Sequence, residues 1–155
     1  MRTWLIVSAL LLAGFAPAPL PRRDRARYDQ RLPEGTWVAE AVRYKGNDVL
    51  ACFHGKRGID VAIGDRVVIR RGQMTFAYRN DSSRARAWSF RLSGAGPTRA
   101  LDLLDPQADH FVLLGVCALE GDALTLSVSS AGEARPRTFV GKGSALVIVL
   151  KRRSP

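Results

Sequence analysis

Four residues of this sequence carry side chains that could act as nucleophiles or metal ligands. Cys52 and His54 form a Cys-x-His pair, and an imidazole next to a thiol can activate it for attack or bind a metal ion with it. A metal site would need further ligands, for which His110 and Cys117 are the candidates. Because the four residues are scattered along the chain, we interpret His54 as a loop residue and Cys52 as a packed side chain. We predict no catalytic residue, no metal site and no cofactor.

The two cysteines allow two interpretations. In an oxidising compartment Cys52 and Cys117 could form a disulfide. Such a bond would close a loop of roughly 64 residues and stabilise the fold by about 4 kcal/mol in the chain-entropy treatment. Alternatively, both are buried thiols that pack as small apolar side chains, which is the interpretation we favour.

A group of carboxylates lies further along the chain, at Asp102, Asp105 and Asp109. Clustered carboxylates in a loop can bind Ca²⁺, but this spacing does not fit a known calcium loop, and solvated turn residues explain it better. The sequence also lacks a nucleophile elbow, a zinc-protease helix and a phosphate-binding loop. We therefore expect a protein that is not an enzyme.

Aromatic side chains in two alternating segments form the strongest candidate for a ligand site. In Gln73 to Arg79 and in Ala87 to Ser93 every second residue is apolar, which predicts two strands with one buried face each. The buried faces could line a cavity for a small apolar ligand or could fill the core with side chains. The candidate ligand-binding residues are Met74, Phe76, Tyr78, Trp88 and Phe90.

The elements that must position these residues are short strands. Eight or nine apolar runs follow one another at spacings near 8–12 residues, and no window has a helical period long enough for a main helix. This pattern predicts an all-β protein, an antiparallel barrel of eight or nine strands with little helix. The run from Ala145 to Leu150 is apolar on both faces and would be exposed at an edge, so we predict that it pairs with the strand carrying Trp37.

The N-terminus has the three-part pattern of a secretory signal peptide. Arg2 precedes an uncharged apolar run from Trp4 to Phe15, and a small-residue Ala-x-Ala site follows at Ala16 to Ala18. The run is shorter than the ~20 residues that a membrane-spanning helix needs. We predict a signal peptide over residues 1–18, an Arg- and Pro-rich linker over 19–34 and a barrel domain over 35–153, in an exported protein without a transmembrane span after signal cleavage.

The charge is high and unevenly distributed. The chain carries 24 Lys and Arg against 14 Asp and Glu, for a formal charge of +10. Lys56 to Arg91 holds nine basic and three acidic residues, and Arg135 to Pro155 holds six basic residues and no acidic one. If the first and last strands close the barrel, these two basic regions could share a face. Such a surface favours an acidic polymer or lipid, and export argues against a specific nucleic-acid partner.

Several motifs together resemble one family. Gly35-Thr36-Trp37 is similar to the Gly-x-Trp that opens the first strand of lipocalin-like barrels. The segments Leu113 to Val116, Leu119 to Leu126, Arg135 to Phe139 and Gly143 to Arg152 resemble successive elements of an uncharacterised lipocalin-like domain family abundant in planctomycete bacteria. Cys117 and Ala118 depart from that pattern, as do Pro33 and Glu34. The resemblance covers about residues 32 to 153, and it implies a fold and no activity.

Within such a barrel, Trp37 would plug one end. Lys151 or Arg152, at the end of the last strand, could then lie over its indole ring, a contact that contributes about 0.5–1 kcal/mol when exposed. We interpret these three residues as architecture. The expected function is that of an exported, non-enzymatic binding domain, and the alternative is an envelope or structural protein that binds acidic polymer or lipid through its basic surface. A cavity of a few hundred Å³ lined by the aromatic set would favour the first.

Overall fold

The computed structural model describes residues 31–54, 58–78, 81, 83, 85–105, 107 and 112–153. The predicted signal peptide and most of the predicted linker lie outside this part of the chain, as do Asp109 and His110. The described residues contain no α-helix and form eleven β-strands. Their bounds are Gly35–Tyr44 (β1), Asn47–Val49 (β2), Ala51–Cys52 (β3), Val61–Ala62 (β4), Arg66–Arg70 (β5), Gln73–Ala77 (β6), Arg86–Ser93 (β7), Thr98–Leu104 (β8), Val112–Glu120 (β9), Ala123–Val128 (β10) and Leu146–Arg152 (β11).

Eight of these strands form a closed antiparallel barrel. From β5 to β11 each strand pairs with the next, β5 also pairs with β1, and β11 pairs with β1 to close the ring. In this closing pair Trp37 lies opposite Arg152 and Tyr44 opposite Leu146, with an irregularity between Ala39 and Ala41. The predicted all-β barrel and the predicted pairing of the Trp37 strand with the last strand are both confirmed.

Three short strands lie beside the ring. The first half of β1 pairs with β5, and its second half pairs with β2, which follows it after a turn at Lys45 and Gly46. The strands β3 and β4 form a separate two-stranded ribbon between β2 and β5. The amide of Ile63, just after β4, donates to the carbonyl of Leu50, just before β3, so the ribbon continues by one further pair.

Alternation along the strands fills the interior. Successive side chains of a strand point to opposite faces, so every second residue points into the barrel. Large apolar side chains occupy these inward positions. The largest fully buried side chains include Trp37, Trp88, Met74, Leu101, Leu103, Leu124, Leu126, Ile148 and Leu150. In β11, Val147 on the opposite face is buried as well, as the double-sided apolar pattern of this strand predicts.

The barrel has two ends, which we name after residues of β1. The Trp37 end contains the start of β1, the end of β11 and the turns at residues 71–72, 94–97 and 121–122. The Tyr44 end contains the end of β1, the start of β7, the end of β8 and the segment of residues 129–145 that joins β10 to β11. The two ends carry different chemistry.

Candidate functional site

The centre of the barrel is occupied by the predicted aromatic set itself. Met74 and Trp88 are paired across β6 and β7 and are fully buried, and Phe76 is 3% exposed. Tyr78, just after β6, is half-buried and packs edge-on against Phe53, with ring centroids 5.2 Å apart. Phe90 is half-buried near the Trp37 end. Three of the five residues thus fill the core, and the other two lie nearer to the ends.

An open cleft lies at the Trp37 end. Its volume is about 450 Å³, and it lies between the chain that precedes β1 and the turn between β5 and β6. Apolar lining comes from Leu32, Ile69 and Phe90, and charged lining from three further residues. These are Arg31, Glu34 and Arg71. Of the predicted ligand-binding residues, Phe90 is the one that lines this cleft.

Hydrogen bonds fix both walls of the cleft. The amide of Arg71 donates to Glu34 Oε1 at 2.9 Å, and a guanidinium nitrogen of Arg152 donates to the carbonyl of Glu34 at 3.0 Å. The amide of Phe90 donates to the carbonyl of Gly72 at 3.0 Å. Arg71 and Gly72 both have positive φ, at 50° and 75°, which makes the turn between β5 and β6 tight. Hydrogen bonds from both side chains and backbone therefore hold the two walls of the cleft.

Exposed cations surround this cleft. Closure of the barrel places β5 and β11 on either side of β1, so the basic residues that end these two strands lie at the same end. The exposed basic residues here are Arg31, Arg70, Arg71, Arg91, Lys151, Arg152 and Arg153. Acidic residues at this end are Glu34, Glu40, Glu120 and Asp122. Neither the Arg31 nor the Arg71 guanidinium has an ion-pair partner among the described residues.

Trp37 plugs this end from the inside. It is fully buried and lies opposite Arg152, whose Nε would be 3.4 Å from a Cβ added at Gly35. Arg152 thus covers the chain that enters β1. Lys151 faces outward, with its Nζ 3.7 Å from Glu40 Oε1. A different indole ring, that of Trp88, is covered by a cation: the Arg86 guanidinium lies 4.6 Å from its ring centroid.

That arginine belongs to a buried ion pair at the Tyr44 end. Arg86 donates to the carboxylate of Asp105, whose side chain is 3% exposed, and Asp105 also accepts from the amide of Gln107 at 3.0 Å. Burial alone would raise the pKa of Asp105, but the Gln107 hydrogen bond and the Arg86 guanidinium together hold it below its ordinary value. Asp102 pairs instead with Arg135, at 2.6 Å. Asp105 and Asp102 thus form ion pairs with different arginines, and Asp109 lies outside the described residues.

Cys52 and His54 meet at the same end. Cys52 Sγ lies 3.2 Å from His54 Nε2, and the His54 ring packs edge-on to Tyr44. Burial and, to a lesser extent, the charge of Asp60 raise the pKa of Cys52. The thiol therefore stays protonated at neutral pH, whereas a nucleophilic cysteine needs a lowered pKa.

Cys52 lies in β3 and Cys117 in β9, and both cysteines are free and buried. In this structure they are two separate thiols, which corresponds to the second of the two interpretations of the sequence. Within the described residues no three His, Cys, Asp or Glu side chains converge as metal ligands. A cavity of about 10 Å³ beside His54 and Ser144 has room for about one water molecule.

Sequence reasoning missed two parts of these arrangements. Leu32 falls in the predicted linker, yet it is 2% exposed and packs in the core, so the folded domain begins before Gly35. In the sequence, the only indication of this earlier start was a Leu next to Arg and Pro residues. Arg135 was noted within a motif, but its contacts were not predicted. It donates to the carbonyls of Leu101 and Gly115, at 3.0 Å and 2.6 Å, as well as to Asp102.

Comparisons of the chain with protein-family profiles, with curated proteins and with solved structures gave no match. In the described part of the chain, no helix is long and apolar enough to span a membrane. The candidate site therefore rests on its own geometry, which is an open cleft lined by Arg31 and Arg71 at the end of the barrel that carries further exposed cations.

Proposed function

We propose that this chain is an exported, non-enzymatic binding domain of lipocalin-like form that binds acidic polymers through the cations of the Trp37 end. One observation carries the proposal: the pairing of β1 with both β5 and β11 brings together two basic segments that are far apart in sequence. The motifs around Trp37, Leu113 and Arg135 also lead us to propose membership in the lipocalin-like family that they resemble. Export is proposed from the N-terminal pattern of residues 1–18.

Distances favour joint action of these cations. Neighbouring strands of a sheet lie about 4.8 Å apart, so β5 and β11 are separated by about 10 Å across β1. The Debye length at physiological ionic strength is about 8 Å, so the exposed cations of the two strands are largely screened from one another and act together only through a ligand that contacts both strands. A polyanion has many charges at similar spacing and can contact several arginines at once. Single exposed contacts are weak, so affinity requires this multiplicity.

Two further observations bear on the alternative functions, which are binding of an apolar ligand inside the barrel and catalysis. Met74, Phe76 and Trp88 occupy the barrel interior, which disfavours a small apolar ligand at its centre. Two side chains that could have taken part in catalysis are in environments that disfavour it. Burial raises the pKa of Cys52, and Asp105 forms an ion pair with Arg86. Both support a surface function without catalysis.

Heparin chromatography tests the proposal with two matched variants. Changing Arg70→Gln, Arg71→Asn and Arg91→Gln removes three cations from the Trp37 end. The control Lys45→Asn, Arg137→Gln and Lys142→Gln removes three exposed cations from the Tyr44 end, two of them in the segment of residues 129–145. Lys45 and Arg71 both have positive φ, and Asn is chosen at both because it tolerates this conformation.

We expect the wild-type protein to be retained at low salt and released as salt is raised, without preference for a particular sugar. The Trp37-end variant should elute at clearly lower salt than the control variant, although both have lost the same charge. Equal elution of the two variants would contradict a site at the Trp37 end. Passage of the wild-type protein through the column without retention would refute polyanion binding altogether.

A further inference from the structure

We infer that the cleft at the Trp37 end is a binding site for a small amphipathic anion, a molecule with one acidic group and an aromatic or aliphatic body. This inference goes beyond the proposed polymer binding, because it assigns a discrete ligand to the apolar floor of the cleft, which a polyanion would not use. It also differs from the ligand site predicted in the barrel interior, where Met74 and Trp88 are fully buried.

The size and lining of the cleft favour such a ligand. Its volume of about 450 Å³ falls within the range of small-molecule sites, roughly 300–1,000 Å³. Leu32 and Ile69 are almost fully buried at the base of the cleft, so half-buried Phe90 is the lining residue with accessible apolar surface. A flat or extended apolar body could pack on this ring and displace water from it. Burial of apolar surface supplies about 25 cal/mol per Å² of such a contact.

The net charge of the cleft favours a ligand that carries one acidic group. Arg31 and Arg71 both line it, and neither guanidinium has an ion-pair partner among the described residues. Glu34 lines it too, but its carboxylate already accepts the amide of Arg71. Two cations and one carboxylate leave a single positive charge, which a monoanion neutralises. A guanidinium binds carboxylate, sulfonate or phosphate oxygens through paired hydrogen bonds.

The walls of the cleft are already in place before a ligand arrives. Backbone groups of Arg71, Gly72 and Phe90 are hydrogen-bonded, and Arg152 holds the carbonyl of Glu34. Binding therefore orders mainly the side chains of Arg31 and Arg71. A largely preformed site loses little conformational entropy on binding, which favours measurable affinity for a small molecule.

The test uses anilinonaphthalene sulfonate, a fluorescent aromatic monoanion, and its uncharged counterpart phenylnaphthylamine, each titrated into the full-length chain. Isoleucine methyl NMR locates the bound probe. Ile69 lines the cleft, whereas Ile63 is not among the lining residues, is 47% exposed and reports nonspecific adsorption to apolar surface. We expect the sulfonate to shift the Ile69 methyl signals and leave those of Ile63 unchanged, and to bind about tenfold more tightly than the uncharged probe.

Variants separate this site from polymer binding. Arg71→Asn should weaken sulfonate binding about tenfold and remove its advantage over the uncharged probe, while Lys45→Asn should change neither. The double variant Arg70→Gln, Arg91→Gln removes cations outside the cleft lining, so it should lower heparin retention and leave sulfonate binding intact. Shifts at Ile63 without shifts at Ile69, or an Arg71→Asn protein that binds like wild type, would overturn the inference. Heparin retention that persists in that case would leave the proposed function standing.

Discussion

At the scale of single residues, two buried tryptophans occupy different positions in the barrel. Trp88 lies in the core opposite Met74, with the Arg86 guanidinium over its ring, and Trp37 is buried near the start of β1. The indole N–H of Trp37 has no acceptor among the described residues, so the large apolar ring must supply the stabilisation that this residue provides. An unsatisfied buried donor costs about 1–3 kcal/mol, which is less than the gain from burying the ring.

We predict that Trp37→Ala lowers the free energy of unfolding by about 3–5 kcal/mol, the usual cost of deleting a buried aromatic side chain. Urea unfolding followed by circular dichroism measures the change. Phe53→Ala is the matched control, because Phe53 is 58% exposed and its loss should cost less than about 1 kcal/mol. An unchanged unfolding midpoint in Trp37→Ala would show that the ring does not hold the Trp37 end closed.

The two thiols give a second prediction at this scale. Burial raises the pKa of Cys117 from its ordinary value of 9.0 to about 11, against a smaller lowering by Arg99, and burial raises the pKa of Cys52 as well. Only the thiolate reacts rapidly with disulfide reagents. We therefore expect neither cysteine to react with Ellman's reagent at neutral pH in the folded protein and both to react in guanidinium chloride. Rapid reaction of one thiol before unfolding would mean that Cys52, with His54 beside it, is an activated site.

At the scale of elements, the segment between β10 and β11 is attached to the wall by Ser129, which donates to the carbonyl of Leu114, and by Arg135. Arg135 donates to the carbonyls of Leu101 in β8 and Gly115 in β9, and to the carboxylate of Asp102. Gly115 leaves no room for a side chain here, because an added Cβ would be 2.7 Å from the carbonyl oxygen of Ser127. This part of the wall therefore depends on close backbone approach and on a charged side chain that satisfies carbonyl groups.

We predict that Arg135→Ala lowers the free energy of unfolding by about 1.5–3 kcal/mol, the range for hydrogen bonds that involve a charged group. Arg137→Ala is the control, since Arg137 is exposed and its substitution should change stability by less than about 0.5 kcal/mol. Hydrogen exchange should also become faster in residues 129–145 of Arg135→Ala. Equal stability of the two variants would show that the segment is held by other contacts.

At the scale of the whole molecule, the closing pair of strands decides cooperativity. Every strand of the ring has two neighbours, so opening the β1–β11 seam would create two free edges at once. The seam is also the contact that brings the two basic segments together. Folding, edge protection and the proposed binding surface therefore depend on the same pair of strands.

We predict that Ile148→Pro abolishes the folded barrel, because proline removes a backbone donor in the middle of a strand that is paired on both sides. Amide protection should be lost throughout the ring, including in β6 and β7 on the far side, and heparin retention should lose its dependence on Arg70, Arg71 and Arg91. Ile148→Val keeps the donor and should cost only about 0.5–1.5 kcal/mol. Selective loss of protection in β11 alone would show that the ring does not unfold as one unit.

Local pattern was sufficient to predict the class of fold. Alternation in the segments around Met74 and Trp88 predicts strands and their buried faces, because side chains of a strand alternate whatever the strand pairs with. The double-sided apolar run at β11 predicts a covered strand, and from this follows the pairing with the Trp37 strand. These features depend on neighbouring residues of the chain, and a single sequence contains them.

Only the tertiary structure decided what the ends of the barrel can bind. Leu32, Ile69 and Phe90 meet in one cleft because register and closure bring three distant segments together, and no local pattern encodes that meeting. The same holds for the choice of partners by Arg86 and Arg135, since a charged side chain takes whichever carboxylate or carbonyl the fold places within reach. Whether the core is filled depends on the summed volumes of inward side chains from eight strands, and only their packing determines that sum.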